Sequence, residues 1–327
     1  MISDDELDRL LYESSPARTP IGAKPDAAAM QMLERIMATD PHPHRVRNRV
    51  LGLVSAAAVV IAAVAVGVGV LTPSGKAEAE TPEPLSFSGS ATVAETISDA
   101  QAALSSSPGP EAPLRLVRSA TWGFSVEVGS KSSQIVPQFV TLQWEPDQSG
   151  RVVIVEGKAY DPTDAAADRS SEVSSSGVVS MDLEMKPGEF TTPLATEPGT
   201  TRDDLAAALA AFGVADGSAF GTVQAINDLL SQWTLTNAQQ SHLLDILGET
   251  EGATALGAST DRLGRSVDGL RVVSSDGAAA VVVLVSRDTG RIVGFERTNL
   301  MENDVYPVGA VINYELLDVD DSVADAK

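Results

Sequence analysis

SVDGLRVVSSDGAAAVVVLVSRDTGRIVGFERTN, residues 266–299, breaks into short runs rich in Val, Leu and Ile, divided by turn residues. Apolar runs of this length, bounded by Gly, Asp and Ser, read as strands rather than helices. The reading is a strand over 266–274, another over Ala278–Ser286, the turn Arg287-Asp288-Thr289-Gly290, and a third strand over Arg291–Thr298. Ala310–Leu317 supplies a fourth. A strand meander of this kind needs an antiparallel sheet and something to cover its face.

Upstream, Leu114, Leu116, Ala120, Trp122, Phe124, Val126 and Val128 fall on alternate positions, which predicts one long strand with one buried face. Val140, Leu142 and Trp144 repeat the pattern. The turn Asp147-Gln148-Ser149-Gly150 then leads into Arg151–Val155 as a hairpin, and a further strand covers Val178–Met185. One helix precedes the strands and three more separate the two strand groups. Val93, Ile97, Ala100 and Leu104 mark one helix, and Thr201 caps another carrying Leu205, Leu209 and Phe212, stopped by Gly213. Val223, Ile226, Leu230 and Trp233 mark a third. Thr236 and Gln239 offer a capping box for a fourth, with Leu243, Leu244 and Leu247, ending at Gly248. The expected fold is α+β, an antiparallel β-sheet with helices on one face over residues 91–320, followed by an acidic tail at 321–327.

A different signal precedes this domain. From Val50 to Leu71 the chain runs 22 residues without a charge, and only Ser55 carries a polar side chain. A helix of that length spans ~33 Å, against a hydrocarbon core of ~30 Å. Lipid requires every backbone polar group to be bonded internally, so a bilayer imposes the helix even on this Val- and Gly-rich run. Arg45, Arg47 and Arg49 stand immediately before it and only Lys76 closely follows. The excess of Arg puts the N-terminus in the cytoplasm and the C-terminal domain outside. Ala77-Glu78-Ala79 fits a signal-peptidase pattern, which leaves open whether the anchor is cut after Ala79, although the run is long for a signal peptide. Residues 72–90, rich in Pro, Glu, Ser and Gly, read as a linker off the membrane. Ala65 and Gly69 form a small-xxx-small pair on which two spans can pack.

The charge divides at this span. Residues 1–49 hold seven Lys/Arg and eight Asp/Glu, so nearly all of the net −22 lies on the outer side. Such a surface repels phosphate backbones, and nucleic acid is excluded as a partner of the domain. The chain has no Cys, so it is stabilised without disulfides and has no thiol chemistry, and with aromatics at 4% its core must rest on Val, Leu, Ile and Ala.

The cytoplasmic segment 1–49 opens on Ile2-Ser3-Asp4-Asp5-Glu6-Leu7, with Ser3 as cap, Glu6 reaching back and Ile2 stapling to Leu7. Leu7, Leu10 and Leu11 form an apolar stripe. Met30, Leu33, Ile36 and Met37 form a second. Two short helices cannot bury these faces by themselves, so the stripe Leu7, Leu10, Leu11 is a candidate docking face for a cytoplasmic regulator.

GASTDRLGRSVDGLRVVSSDGAAAVVVLVSRDTGRIVGFERTN (257–299), followed by VINYELLD (311–318), resembles the C-terminal meander of uncharacterised actinobacterial membrane-anchored proteins. The layout is also similar, with a short DELDRLL-type helix, one span and an exported domain. The resemblance implies association with an extracytoplasmic-function sigma factor and an anti-sigma-like role. In architecture alone, the order of helix then antiparallel sheet is also similar to the half-barrel lipoprotein carriers of bacterial envelopes. That likeness implies a tethered domain binding lipid or another envelope component.

Catalytic signals are sparse. His42 and His44 lie before the span and His242 on an expected helix, which makes neither a zinc site nor a triad. No nucleophile elbow, S-x-x-K motif or phosphate-binding glycine loop occurs. Asp161, Asp164 and Asp168, and Asp318, Asp320 and Asp321, lack the spacing of a calcium loop and read as solvated. No cofactor and no catalytic residue is expected. The expected function is a single-pass membrane protein with an extracytoplasmic sensing or binding domain. Its partners are the bilayer, a cytoplasmic regulator and an envelope ligand or lipid.

Overall fold

The tail meander forms, and it is half of a single larger sheet. A computed structural model describes residues 81–123, 135–161, 173–213, 218–302 and 307–320. In chain order these hold α1 (Val93–Ser106), β1 (Leu116–Gly123), β2 (Gln138–Trp144), β3 (Gly150–Gly157) and β4 (Ser175–Met185). Then come α2 (Arg202–Ala211), α3 (Ala219–Leu230) and α4 (Asn237–Glu249). β5 (Thr254–Thr260), β6 (Ser266–Val273), β7 (Ala279–Ser286), β8 (Ile292–Asn299) and β9 (Val311–Leu317) follow. The nine strands make one sheet in the order β4-β3-β2-β1-β9-β8-β7-β6-β5. Every pairing in it is antiparallel. The fold is α+β, and no helix of the described residues is long and apolar enough to cross a membrane. The run Val50–Leu71 lies outside them.

The first meander steps outward from β1 to the edge at β4. Three helices then carry the chain to the opposite edge, and the second meander steps back inward until β9 pairs with β1. First and last strands thus meet in the middle, and both meanders depend on their joint seam.

Local sequence sets the helix starts. Thr92, Thr201 and Thr236 each accept a bond from the amide three residues on, while Glu95, Asp204 and Gln239 reach back to the cap. These reciprocal boxes satisfy amides that the first turn leaves without partners. Gly248, expected to end α4, lies inside it, because its missing side chain admits Ile97 from α1.

All four helices feed one buried cluster, which includes Val117, Val140, Val152, Leu270, Val283 and Phe295 from the sheet. None contributes to a second cluster, built on Ala120, Trp122, Phe139, Val282, Tyr314 and Leu316. The two sets alternate along the strands, so both faces of the central strands are buried. The expectation of a single buried face for the first strand fails for that reason, since Val117 and Ser119 are buried as well as Ala120 and Trp122. Phe124, Val126 and Val128 lie outside the described residues. Few as they are, aromatics anchor the helix side. The Trp144 ring lies 4.8 Å from Phe190, tilted against it, and meets Trp233 edge-on at 4.9 Å, and the Arg115 guanidinium lies over both indoles.

The sheet is strongly coiled. Nine strands ~4.8 Å apart would put its edges ~38 Å from each other if flat. Yet the amide of Val173, just before β4, donates to the carbonyl of Arg262, just after β5, at 2.7 Å. Four residues of extended chain reach only ~14 Å, so coiling closes the remainder over the second cluster.

The β7–β8 turn carries a tight tolerance. Gly290 sits at φ +74°, and a Cβ there would collide with the carbonyl oxygen of Ala100 in α1. Gly290→Ala should lower stability by about 2 kcal/mol, from left-handed strain and overpacking together. Urea unfolding followed by tryptophan fluorescence reads it, and an unchanged midpoint would refute the contact.

Candidate functional site

Of the residues singled out by sequence, Leu7, Leu10, Leu11, Arg45, Arg47, Arg49, His42, His44, Ala65, Gly69, Asp164, Asp168 and Asp321 lie outside the described residues. Asp318 is committed to structure, with Oδ2 accepting from Arg291 Nε at 2.6 Å. Arg291 also donates to the Leu235 carbonyl and to Asn237 Oδ1. His242 lies on α4 with Nδ1 3.7 Å from Asp245 Oδ2, beyond hydrogen-bond length.

The chemically unusual place was not among them. On β9, the middle strand, the two-residue period sends Tyr314 and Leu316 to one face and Asn313, Glu315 and Leu317 to the other, under the helices. Glu315 pairs across the sheet with Phe295 on β8 and Thr121 on β1. From above, α3 presents Asn227 and Asp228. Burial pushes Glu315 up to about 7; the hydrogen bond from Asn227 pulls against that shift, and the Asp228 charge adds to it. Glu315 keeps some surface exposure, but protein surrounds the carboxyl deeply enough for desolvation to win. Burial alone raises Asp228 to about 6.

Two carboxyls that repel each other beneath a helix hold their first proton near neutral pH and titrate as a pair. The buried Oδ1 atoms of Asn227 and Asn313 have no donor. A protonated Glu315 has an O–H to give, and a turned Asn227 amide would accept it. The arrangement can therefore take up and release a proton between α3 and the central strand. Among the described residues no group of three or more His, Cys, Asp or Glu is placed to hold a metal ion. The signal available in VINYELL was a Glu flanked by apolar neighbours on a strand. That it is buried follows only from the strand's central place.

The coiled face carries a second polar centre. Arg262 Nη2 and Nε contact Glu296 Oε2 at 2.6 and 3.1 Å, with side chains 6% and 3% exposed. Burial opposes the Arg262 charge, but the Glu296 carboxylate and the Tyr314 ring beneath it more than offset that, so its pKa rises. The pair's spare bonding capacity goes to residues 83–88, in the stretch expected as a linker. Leu85 N–H donates to Glu296 Oε1 at 3.0 Å, and Arg262 Nη2 donates to the Glu83 carbonyl at 2.7 Å. Ser88 and Ala258 exchange both backbone bonds, Ser259 Oγ donates to the Ser86 carbonyl, and Leu85 and Phe87 pack on the second cluster. A polar crevice of about 120 Å³ lies elsewhere, between α1 and β6–β7, lined by Thr96, Asp99, Asp268 and Arg287.

Fold and site together define a coiled nine-stranded α+β domain, strapped across one face by its own leading segment and carrying a protonatable pair under the other. Comparison with protein-family models, with curated proteins and with solved structures finds no match to this chain.

Proposed function

We propose that the chain is a single-pass membrane signalling protein, with an extracytoplasmic sensing domain and a cytoplasmic segment that regulates in the anti-sigma manner. The carrying observation is the charge-free run Val50–Leu71 with Arg45, Arg47 and Arg49 on one side and almost all the net negative charge on the other. The join to the domain supports it. Eleven residues separate Leu71 from Glu83, whose carbonyl accepts from Arg262. Fully extended they reach ~40 Å, which holds the coiled face close to the outer membrane surface. The coiling also supports a half-barrel form for the domain, with the helices on its outer face.

The chain has no Cys, so topology can be read by single cysteines and a membrane-impermeant maleimide in intact cells. Asp288→Cys should label from outside and Ser3→Cys only after permeabilisation; the reverse pattern would sink the proposal. On the inner side, segment 1–49 should retain a sigma factor. Replacing Leu7, Leu10 and Leu11 with Ala should weaken that capture at least about tenfold, given ~1.5 kcal/mol or more per buried Leu. A second reading, a tethered lipid-binding domain, is favoured by the apolar lining of the coiled face. Mass spectrometry of the purified protein for bound lipid separates the two.

A further inference from the structure

We propose that the groove now filled by residues 83–88 is a peptide-binding site. Its resident occupant is the chain's own strap, and its competing ligand is an extended polypeptide with apolar side chains two residues apart. The groove is built for backbone. Glu296 takes an amide, Arg262 gives to a carbonyl, and Ala258 on the edge strand β5 exchanges two bonds with Ser88. Those contacts read main chain and are indifferent to most side chains, as in strand addition to a sheet edge.

The side-chain specificity is equally local. Leu85 and Phe87 alternate with the exposed Ser86 and Ser88, and both enter the second cluster. Space for them comes from two missing side chains. A Cβ on Gly269 would strike the Phe87 ring, and one on Gly257 would strike the Ser88 carbonyl. Sheet positions left empty for an incoming ring and an incoming carbonyl mark a fitted slot.

The occupant is held lightly. Glu83, Pro84, Ser86 and Ser88 are exposed, Leu85 and Phe87 are half-buried, and one reciprocal backbone pair ties the segment to β5. A segment with so little burial opens below the energy of global unfolding. Displacement also has a readout, because the strap is the connection to the proposed span: a ligand in the groove releases it. The groove gains that signalling role only through the membrane-anchored reading above, whereas its binding capacity does not depend on topology.

The test uses the full chain in detergent and a fluorescein-labelled peptide of residues 81–90, TPEPLSFSGS, followed by anisotropy. A tethered strap competes at an effective concentration on the order of 1 mM. If the Leu85→Ser/Phe87→Ser variant binds the peptide at about 10 µM, the unmodified chain should bind it roughly 100-fold more weakly. A scrambled peptide should bind neither. A variant with unchanged circular dichroism that fails to bind at 1 mM, or equal binding by both chains, overturns the proposal. If the variant does not fold, Ser88→Cys with Ala258→Cys in the otherwise cysteine-free chain decides it. The oxidised form should exclude the peptide and reduction should restore the weak binding of the unmodified chain; identical binding in both states overturns the site.

Discussion

Arg262→Met should lower the unfolding free energy by about 3–5 kcal/mol, the largest single effect expected here. The substitution removes both guanidinium bonds to Glu296 and leaves a buried carboxylate, 3% exposed, with the Leu85 amide still donating to it. The loss comes from the uncompensated charge rather than from the worth of the pair. Arg262→Met/Glu296→Leu should therefore recover most of it, because two apolar side chains of similar volume have nothing to desolvate. Urea denaturation of the single and double variants measures both. A double variant as unstable as the single one would show that the site depends on the ion pair itself.

Glu315→Gln should act in the opposite direction, adding about 2–3 kcal/mol of stability at pH 8 and almost nothing at pH 5. The folded pKa of about 7 lies above the ordinary carboxyl value of 4.5, so the folded chain holds this proton across a window in which the unfolded chain has lost it. Stability contributed by the neutral form is complete below about pH 4.5 and declines as pH rises to about 7. Asp228, raised to about 6 from 3.8, shifts the same way, and the two contributions are joint rather than additive. Gln keeps the shape, the acceptor and a donor for Asn227 Oδ1 without the charge. The unmodified protein should thus be more stable at pH 5 than at pH 8. Equal pH profiles for Glu315→Gln and the unmodified chain would show that the carboxyl is solvated.

Signals that depend on near neighbours in sequence were legible. The caps at Thr201 and Thr236 form as expected, whereas the equivalent box at Thr92 was not singled out. The β2–β3 hairpin turns at Asp147–Gly150, and β6 to β9 fall within one or two residues of the expected runs. β5 was not seen, because Thr254–Thr260 is mostly small residues with a Gly and a bulge, and an edge strand needs no apolar alternation. Nothing in Pro82–Ser88 announces a strap either. Its bonds are to Ala258, Ser259, Arg262 and Glu296, 170 or more residues away, and a Pro- and Ser-rich stretch otherwise reads as linker.

What the chain determined by itself is the α+β class, the helix starts, most of the strands and the charge-free run at 50–71 with its arginine-bearing flank. All of these follow from propensity, capping and periodicity within a dozen residues. Only the tertiary structure decided that β9 closes against β1, and that closure buries both faces of the central strands. It thereby turns Glu315 from a strand residue into a protonatable group under α3. The physical reason is that burial and desolvation belong to a position in space. A two-residue period fixes which side chains share a face and says nothing about what will cover it.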